Sequence, residues 1–489
     1  MDGGVGTLQG AAAPLDDARK RQIVVGVLTA MFLAALDQTI VAPAMTTIGQ
    51  SLGHVQYLPW VISAYLITGT AVTPLYGKLA DIYGRRPILF LAVSIFMVGS
   101  IVCALATTLA VLIGGRALQG LGGGGLIALA QTVLGDLVPP KQRAKFAAQI
   151  SAVWATASLA GPIVGGVFAQ HLHWSLVFWI NLPIGLVAFA MMSGPLKDLP
   201  FRARPHRLDI PGAALVVAGT SAAMLALSLG RMSGEWGSPA VLGLAFAAVL
   251  ATALFAWRVL SFEEPLIPVS VLKDRVVACG TSAVALGMAG FVGLTTIVPA
   301  FFETQDKVSP DIAAIGLISM GAGAVIGAAI TGRMMPRMRR YRLPAIVGHM
   351  MSVAALGALA ATASSGSFLL SEALLFLYGL GLGPIFPIAT VSVQNAVTQH
   401  NLGAATGLLA FLRSMGAAFG VAILGAIVLG AGAHGEGGGS AAGMAIEPES
   451  FRWAFLVAML STAGALCCLL AMPERPLRDT MEPAAPPAE

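Results

Sequence analysis

Fourteen apolar runs, each about long enough to cross a bilayer as a helix, follow one another along this chain with short polar stretches between them. They lie at roughly 22–47, 57–77, 87–106, 108–134, 146–170, 174–195, 209–229, 239–258, 276–302, 311–332, 343–363, 367–392, 403–430 and 452–472. Lipid offers a backbone no hydrogen-bond partners, so only helices and closed barrels can span it. A barrel would show short segments of alternating polarity, whereas these runs are long and continuous. The expectation is an all-α polytopic membrane protein with 14 transmembrane helices. Composition agrees, with 57% of the 489 residues hydrophobic, 10% charged and a mean hydropathy of +0.83. An ordinary soluble domain carries about 25% charged residues.

The net charge of +5 does not indicate nucleic acid, because the bases are sorted by side. If the N-terminus is cytoplasmic, the outer loops hold only Arg231, Lys307 and Arg452, and Arg116 and Arg413 lie inside spans. Such a bias puts both termini in the cytoplasm. It predicts a multi-pass protein of the cytoplasmic (inner) membrane, and the Ala- and Gly-rich, loop-poor composition suits a bacterium. The first run is too long for a signal-peptide core and is expected to be retained. Cys103, Cys279, Cys467 and Cys468 all sit in apolar runs without CxxC spacing, so neither a disulfide framework nor a metal site is expected. Glycine runs such as "GLGGGG" follow no strand, and no GxxxxGK[ST] occurs, so no nucleotide cofactor is expected.

An internal repeat organises the runs. "GKLADIYGRRPIL" (77–89) resembles "GRMMPRMRRYRLP" (332–344) in glycine, bases and proline, at an offset of 255. Gly120 meets Gly379, Gly161 meets Gly420 and Gly166 meets Gly425, all at an offset of 259. That offset exceeds a six-span unit by about two spans, which fits 209–258 as an insertion. The implied plan is a cytoplasmic tail (1–21), a six-helix bundle (22–195), a linker with two inserted helices (196–275), a second six-helix bundle (276–472) and a cytoplasmic tail (473–489). Parallel six-span halves are a known secondary-transporter plan, with the substrate path between them.

The motifs then carry a resemblance. The 77–89 stretch resembles the loop between spans two and three of the major facilitator superfamily. "LIGGRALQGLGGGG" (112–125) is similar to its fourth-span motif, and "SLAGPIVGGVF" (158–168) to its fifth-span antiporter motif. "LDQTIVAPAM" (36–45), "FWINLPIG" (178–185) and "GLLAFLRSMG" (407–416) resemble the fourteen-span drug:proton antiporter branch. The chain departs from that pattern at Ala42 and Pro43, at Glu303 where relatives often carry glutamine, and in the second-half loop, which lacks the acid.

The resemblance implies a proton-coupled exporter of amphiphilic or lipophilic compounds, working by alternating access as in multidrug efflux. The alternatives are an exporter or flippase of an endogenous lipid, siderophore or metabolite, and a membrane-embedded transferase. A transferase would need a nucleophile, base or metal cluster converging on one site. His171 and His173 stand in a loop without an accompanying acid or cysteine, so an enzyme is not expected. The resemblance also implies a latch made by Gly77, Asp81, Gly84, Arg85 and Arg86, and a proton-leak barrier in the bend at Gly161, Pro162, Gly165 and Gly166. The residues alone allow plainer readings, a positive-inside anchor for the first and helix packing for the second.

Charges deep in spans are costly and usually functional. At about 1.5 Å per residue, Asp37 lies ~22 Å from the inner end of its span, and Arg116 lies ~18 Å from the inner side. The two opposite charges therefore share a level in one half and are the expected proton-coupling residues. A static ion pair beside Pro43 is the other reading. Tyr65, Phe301, Glu303, Tyr378, Gln394, Asn395 and Arg413 are candidates for the substrate pathway, and packing is the plain alternative for the aromatics. The expected partners are a small amphiphilic substrate, protons and the lipid bilayer, without nucleic acid, and the protein is expected to work as a monomer.

Overall fold

The computed structural model describes residues 16–53, 57–194, 209–262, 265–305, 315–363, 367–430 and 448–478. Lys307 and the linker at 195–208 lie outside them. The first half comprises α1 (Asp17–Ile40), α2 (Met45–Leu52), α3 (Pro59–Tyr83), α4 (Arg85–Ala104), α5 (Leu109–Leu137), α6 (Pro140–His171), α7 (Leu176–Trp179) and α8 (Asn181–Ser193). A hairpin of α9 (Ile210–Ser233) and α10 (Pro239–Ser261) follows, then the short α11 (Val269–Lys273). The second half comprises α12 (Arg275–Gln305), α13 (Ile315–Met334), α14 (Leu343–Thr362), α15 (Phe368–Leu382), α16 (Ile385–Ala396), α17 (Leu402–Gly430) and α18 (Pro448–Ala471).

Among the described residues, 13 helical stretches are long and apolar enough to cross a membrane. The helix at the second predicted span, α3, has 25 residues and is long enough, but its three threonines, three tyrosines and two prolines make it less apolar than the others. The helix starts carry the expected chemistry. Thr108, Asp209, Ser238 and Ser367 each accept a backbone N–H of the following turn. Pro59, Pro140 and Pro239 occupy first positions, where no donor is missed.

Three spans are interrupted where the hydropathy pattern is continuous. The first ends at Ile40 and passes through a 3-10 turn, Ala42–Ala44, containing Pro43. The sixth is interrupted only at Ile180, whose backbone stays helical, and Asn181 opens α8. The twelfth breaks before Ile385, at Gly383 and Pro384. Apolarity reports burial in lipid or core, not continuity of the helix.

The glycines of the repeat occupy matching contacts. A Cβ on Gly120 would overlap the Tyr65 carbonyl of α3, and one on Gly379 would overlap the Met320 carbonyl of α13. Gly161 abuts Thr39 of α1 in the same way that Gly420 abuts Ala289 of α12. Gly166 and Gly425 both have no atom within 4 Å of an added Cβ. The expectation that Gly166 permits close packing is therefore corrected; Gly165, against the Ile40 carbonyl, does so. Pro162 lies inside α6 on its exposed side.

The inserted hairpin packs α9 against both α3 and α17, while α10 is largely exposed. Helix ends α1-start, α3-end, α4-start and α8-end gather on one face, as shown by Gly26 against Met192 and Arg86 against Ser193. The same face carries the start of α17 and residues 473–478. We call it the basic face.

Candidate functional site

Asp37 and Arg116 meet in the core of the first half. Arg116 Nη1 donates to Asp37 Oδ2 at 2.6 Å and to Gln119 Oε1 at 2.7 Å, and Arg116 Nε donates to the Val61 carbonyl at 3.1 Å. Asp37 Oδ1 accepts from Gln119 Nε2 at 2.7 Å and Asn181 Nδ2 at 2.9 Å. Ser100 Oγ accepts from the same two amides at 2.8 and 3.2 Å. The guanidinium stacks 4.4 Å from the Tyr65 ring centroid. All five polar side chains are buried.

Local structure explains the convergence. The α-helix of the first span ends at Ile40, about one turn after Asp37, Gln119 stands three residues beyond Arg116 on the same face, and Asn181 opens α8. A carboxylate this buried needs paired charge and full hydrogen bonding. A proton placed on Asp37 would cancel its charge and weaken its hold on Arg116, which keeps Gln119, Val61 and Tyr65 as partners. Protonation would thus weaken the tie between α1 and α5 and leave Arg116 buried with neutral acceptors alone.

A second cluster closes the basic face between the halves. Asp81 accepts Arg85 Nη1 at 2.5 Å, and also the backbone N–H groups of Gly403 at 3.2 Å and Ala404 at 2.9 Å. It thereby caps the first turn of α17, in the other half. Arg85 Nε donates to Asp136 at 2.7 Å. Gly77 touches the Gly403 carbonyl, so closely that a Cβ would overlap it. Gly84, with φ +95°, makes the reversal between α3 and α4. Arg86 does not join Asp81. It donates to the Ser193 carbonyl at 3.2 Å and lies over Phe90, inside its own half.

Arg143 and Gln394 add a second bridge. Arg143 donates to the Val138, Gly135 and Gln394 carbonyls at 3.0, 2.5 and 3.4 Å, and Gln394 Nε2 donates to the Gln131 carbonyl at 3.3 Å. Burial pulls Arg143 down to about 10, with nearby Asp136 opposing that shift, so it stays protonated and donating at neutral pH. Asn395 instead holds the chain's end, donating to the Pro476 carbonyl at 3.1 Å and accepting Arg478 N–H at 3.2 Å.

The remaining pathway candidates are dispersed. Phe301 is buried among Phe302, Phe451 and Phe455. Tyr378 is buried in the second-half core beside Phe291, and Glu303 is exposed near the end of α12. Tyr65 belongs to the Arg116 cluster. Phe301 and Tyr378 thus both sit in dry aromatic surroundings, where an aromatic side chain gains most from burial. Arg413 is half-buried in α17 and has no hydrogen bond or ion pair with a described residue. Among the described residues, no three His, Cys, Asp or Glu side chains gather as a metal site.

The model of the Major Facilitator Superfamily matches residues 27–421. The chain belongs to that superfamily. It is 33% identical over 415 residues to the multidrug transporter protein MdtP of Bacillus subtilis (strain 168), covering 84% of this chain and 76% of that one. It is 32% identical over 430 residues to the MFS-type efflux pump LUC4 of Fusarium sp, covering 84% and 74%. The solved structure of a bacterial homologue of the iron transporter ferroportin, in an outward-facing state, superposes with a TM-score of 0.65 at 12% identity. That match covers 92% of this chain and 98% of the other. The solved MFS (major facilitator superfamily) proton:xylose symporter XylE superposes with a TM-score of 0.63 at 14% identity over 94% of this chain and 97% of that one, and such matches show the fold alone. Membership identifies the chain as a multi-pass membrane transporter for small molecules.

Ser100, Gln119, Asn181, Asp136 and Arg143 were not singled out from sequence. Gln119 had a legible signal, its i,i+3 spacing from Arg116. Isolated polar residues in apolar runs otherwise carry none.

Proposed function

We propose that this protein is a proton-coupled exporter of amphiphilic small molecules, with its basic face in the cytoplasm and Asp37 as the group that exchanges the proton. The observation that carries the reading is the completeness of the Asp37 shell. Three donors on α5 and α8 hold one buried carboxylate on α1. A proton there changes the contacts between three helices, which is what coupling requires. The similarity to a multidrug transporter and an efflux pump supports export. The bias of bases toward one set of loops supports the orientation.

In this reading Asp81, Arg85, Gly77 and Gly84 form the latch that closes the cytoplasmic face, with Arg143 and Gln394 as its second contact. Gly161 and Gly165 seat α6 on α1 at Thr39 and Ile40, within one turn of Asp37 along the helix. One copy of the chain holds the whole cluster, which supports a monomer as the working unit.

The test uses purified protein in liposomes with an imposed pH gradient and fluorescent amphiphiles of positive, zero and negative charge. Wild type is expected to move at least one of them against its gradient, and Asp37→Asn to lose that movement. Equal gradient-driven transport by Asp37→Asn would remove Asp37 from the coupling mechanism.

A further inference from the structure

The charges buried in the spans fall into two kinds. Asp37 and Arg116 neutralise each other at 2.6 Å. Glu372, on α15, turns to Ser319 of α13. Arg413 differs from both, with no acid and no hydrogen-bond acceptor among the described residues. It stands 11 residues into α17, whose first residue is Leu402, about 16 Å along the helix. That is near the middle of a ~30 Å hydrocarbon core. A guanidinium there is expensive unless it faces water, protein acceptors or a ligand.

The helix register shows where it faces. Gly403 and Gly407 mark the stripe of α17 packed on α3 of the first half. Gly416 and Gly420 mark the stripe packed on α12, against Ala285 and Ala289. Arg413 lies on the arc between those stripes. It is two turns beyond Thr406, which accepts Gln394 Nε2 at 3.5 Å where α16 meets Gln131 of α5. The guanidinium therefore points into the region between the halves, directly above the seal on the basic face. Its side chain is half-buried there.

We propose that Arg413 binds the anionic group of the substrate, so that the transported class is amphiphilic organic acids: an apolar body bearing a carboxylate, sulfonate or phosphate. A planar fork of donors matches such oxyanions in two-point geometry. The placement also ties occupancy to the gate, because Arg413 shares α17 with the first turn that Asp81 caps. The proposal rests on the exporter reading and names its substrate class.

The test is equilibrium binding in lipid nanodiscs without a proton gradient, so failure of proton coupling leaves it untouched. The probes are dansyl-labelled undecanoate, its methyl ester and the matching primary amine. Wild type is expected to bind the acid about tenfold or more tighter than the ester, the range of one charge-assisted hydrogen-bond pair. Arg413→Gln is expected to abolish that preference by weakening the acid far more than the ester, and Arg413→Lys to retain part of it. Wild-type binding with no preference for the acid, or a preference for the amine, would overturn the proposal whether or not Arg413→Gln folds. A full acid preference in Arg413→Gln would overturn it equally.

Discussion

The two halves share their packing and differ in their charges. Gly120 and Gly379, and Gly161 and Gly420, make the same helix contacts in each repeat. The loops do not match. In the first half, Asp81 reaches across to Gly403 and Ala404 of the other half. In the second, the loop is bound by the chain's own end: Tyr341 Oη donates to the Arg475 carbonyl at 2.8 Å, and Arg342 N–H to Glu474 at 3.0 Å. The deep charges differ likewise: Asp37 and Arg116 pair in the first half, while Arg413 in the second has no partner among the described residues. The repeat thus keeps the glycine contacts that hold helices together, while its charged residues differ.

The largest effect that would break this contrast comes from stranding a charge in the first half. Arg116→Met leaves Asp37 buried without its countercharge, at a cost of about 3–5 kcal/mol. Thermal unfolding should drop accordingly, and adding Asp37→Asn should recover a substantial part of the loss, as a coupled pair requires. Additive losses in the double variant would mean that the cluster is not one unit.

Next comes the contact between halves. Gly77→Ala puts a methyl into the Gly403 carbonyl and should force α3 and α17 apart at the basic face. Spin labels at Tyr83 and Leu343, both exposed, in a background lacking the four native cysteines, should move to longer separations. Gly166→Ala, with nothing within 4 Å of its Cβ, should leave them in place. Identical distance distributions for Gly77→Ala and Gly166→Ala would refute the contact as a determinant of closure.

Asp81→Asn should act on the same distances more gently. The amide keeps an acceptor for the cap but loses the charge that holds Arg85, worth about 1.5 kcal/mol, or roughly a tenfold change in the ratio of closed to open. An unchanged ratio would assign Asp81 to anchoring alone.

The sequence made the spans legible because hydropathy integrates over twenty residues, and it put Asp37 and Arg116 at one level because helical rise is nearly constant. It could not show that Arg86 turns away from Asp81 toward Ser193, because adjacent residues on a helix point about 100° apart and only the fold says which one faces the gate. Ser100 and Asn181 were hidden for a different reason. Each is a single polar residue in an apolar run, and its role exists only once α4 and α8 meet beside α1. Phe301 and Tyr378, chosen as pathway aromatics, were indistinguishable from packing aromatics until their neighbours were known.

The smallest effect sharpens the contrast between the loops. Arg478 donates to the Asn395 side chain, and to the Asn395 and Val397 carbonyls at 2.7 and 3.0 Å, all within the second half. It is half-buried, so Arg478→Ala should cost no more than about 1 kcal/mol of stability after screening. If the strap serves only its own half, the Tyr83–Leu343 distances should not move. The opposite result has a physical route, because the Arg478 charge acts on Arg143, whose bond to the Gln394 carbonyl bridges the halves. Opening of the basic face by Arg478→Ala, on the scale of Asp81→Asn, would make the tail a second latch and end the distinction between a loop that reaches across and a loop that is held at home.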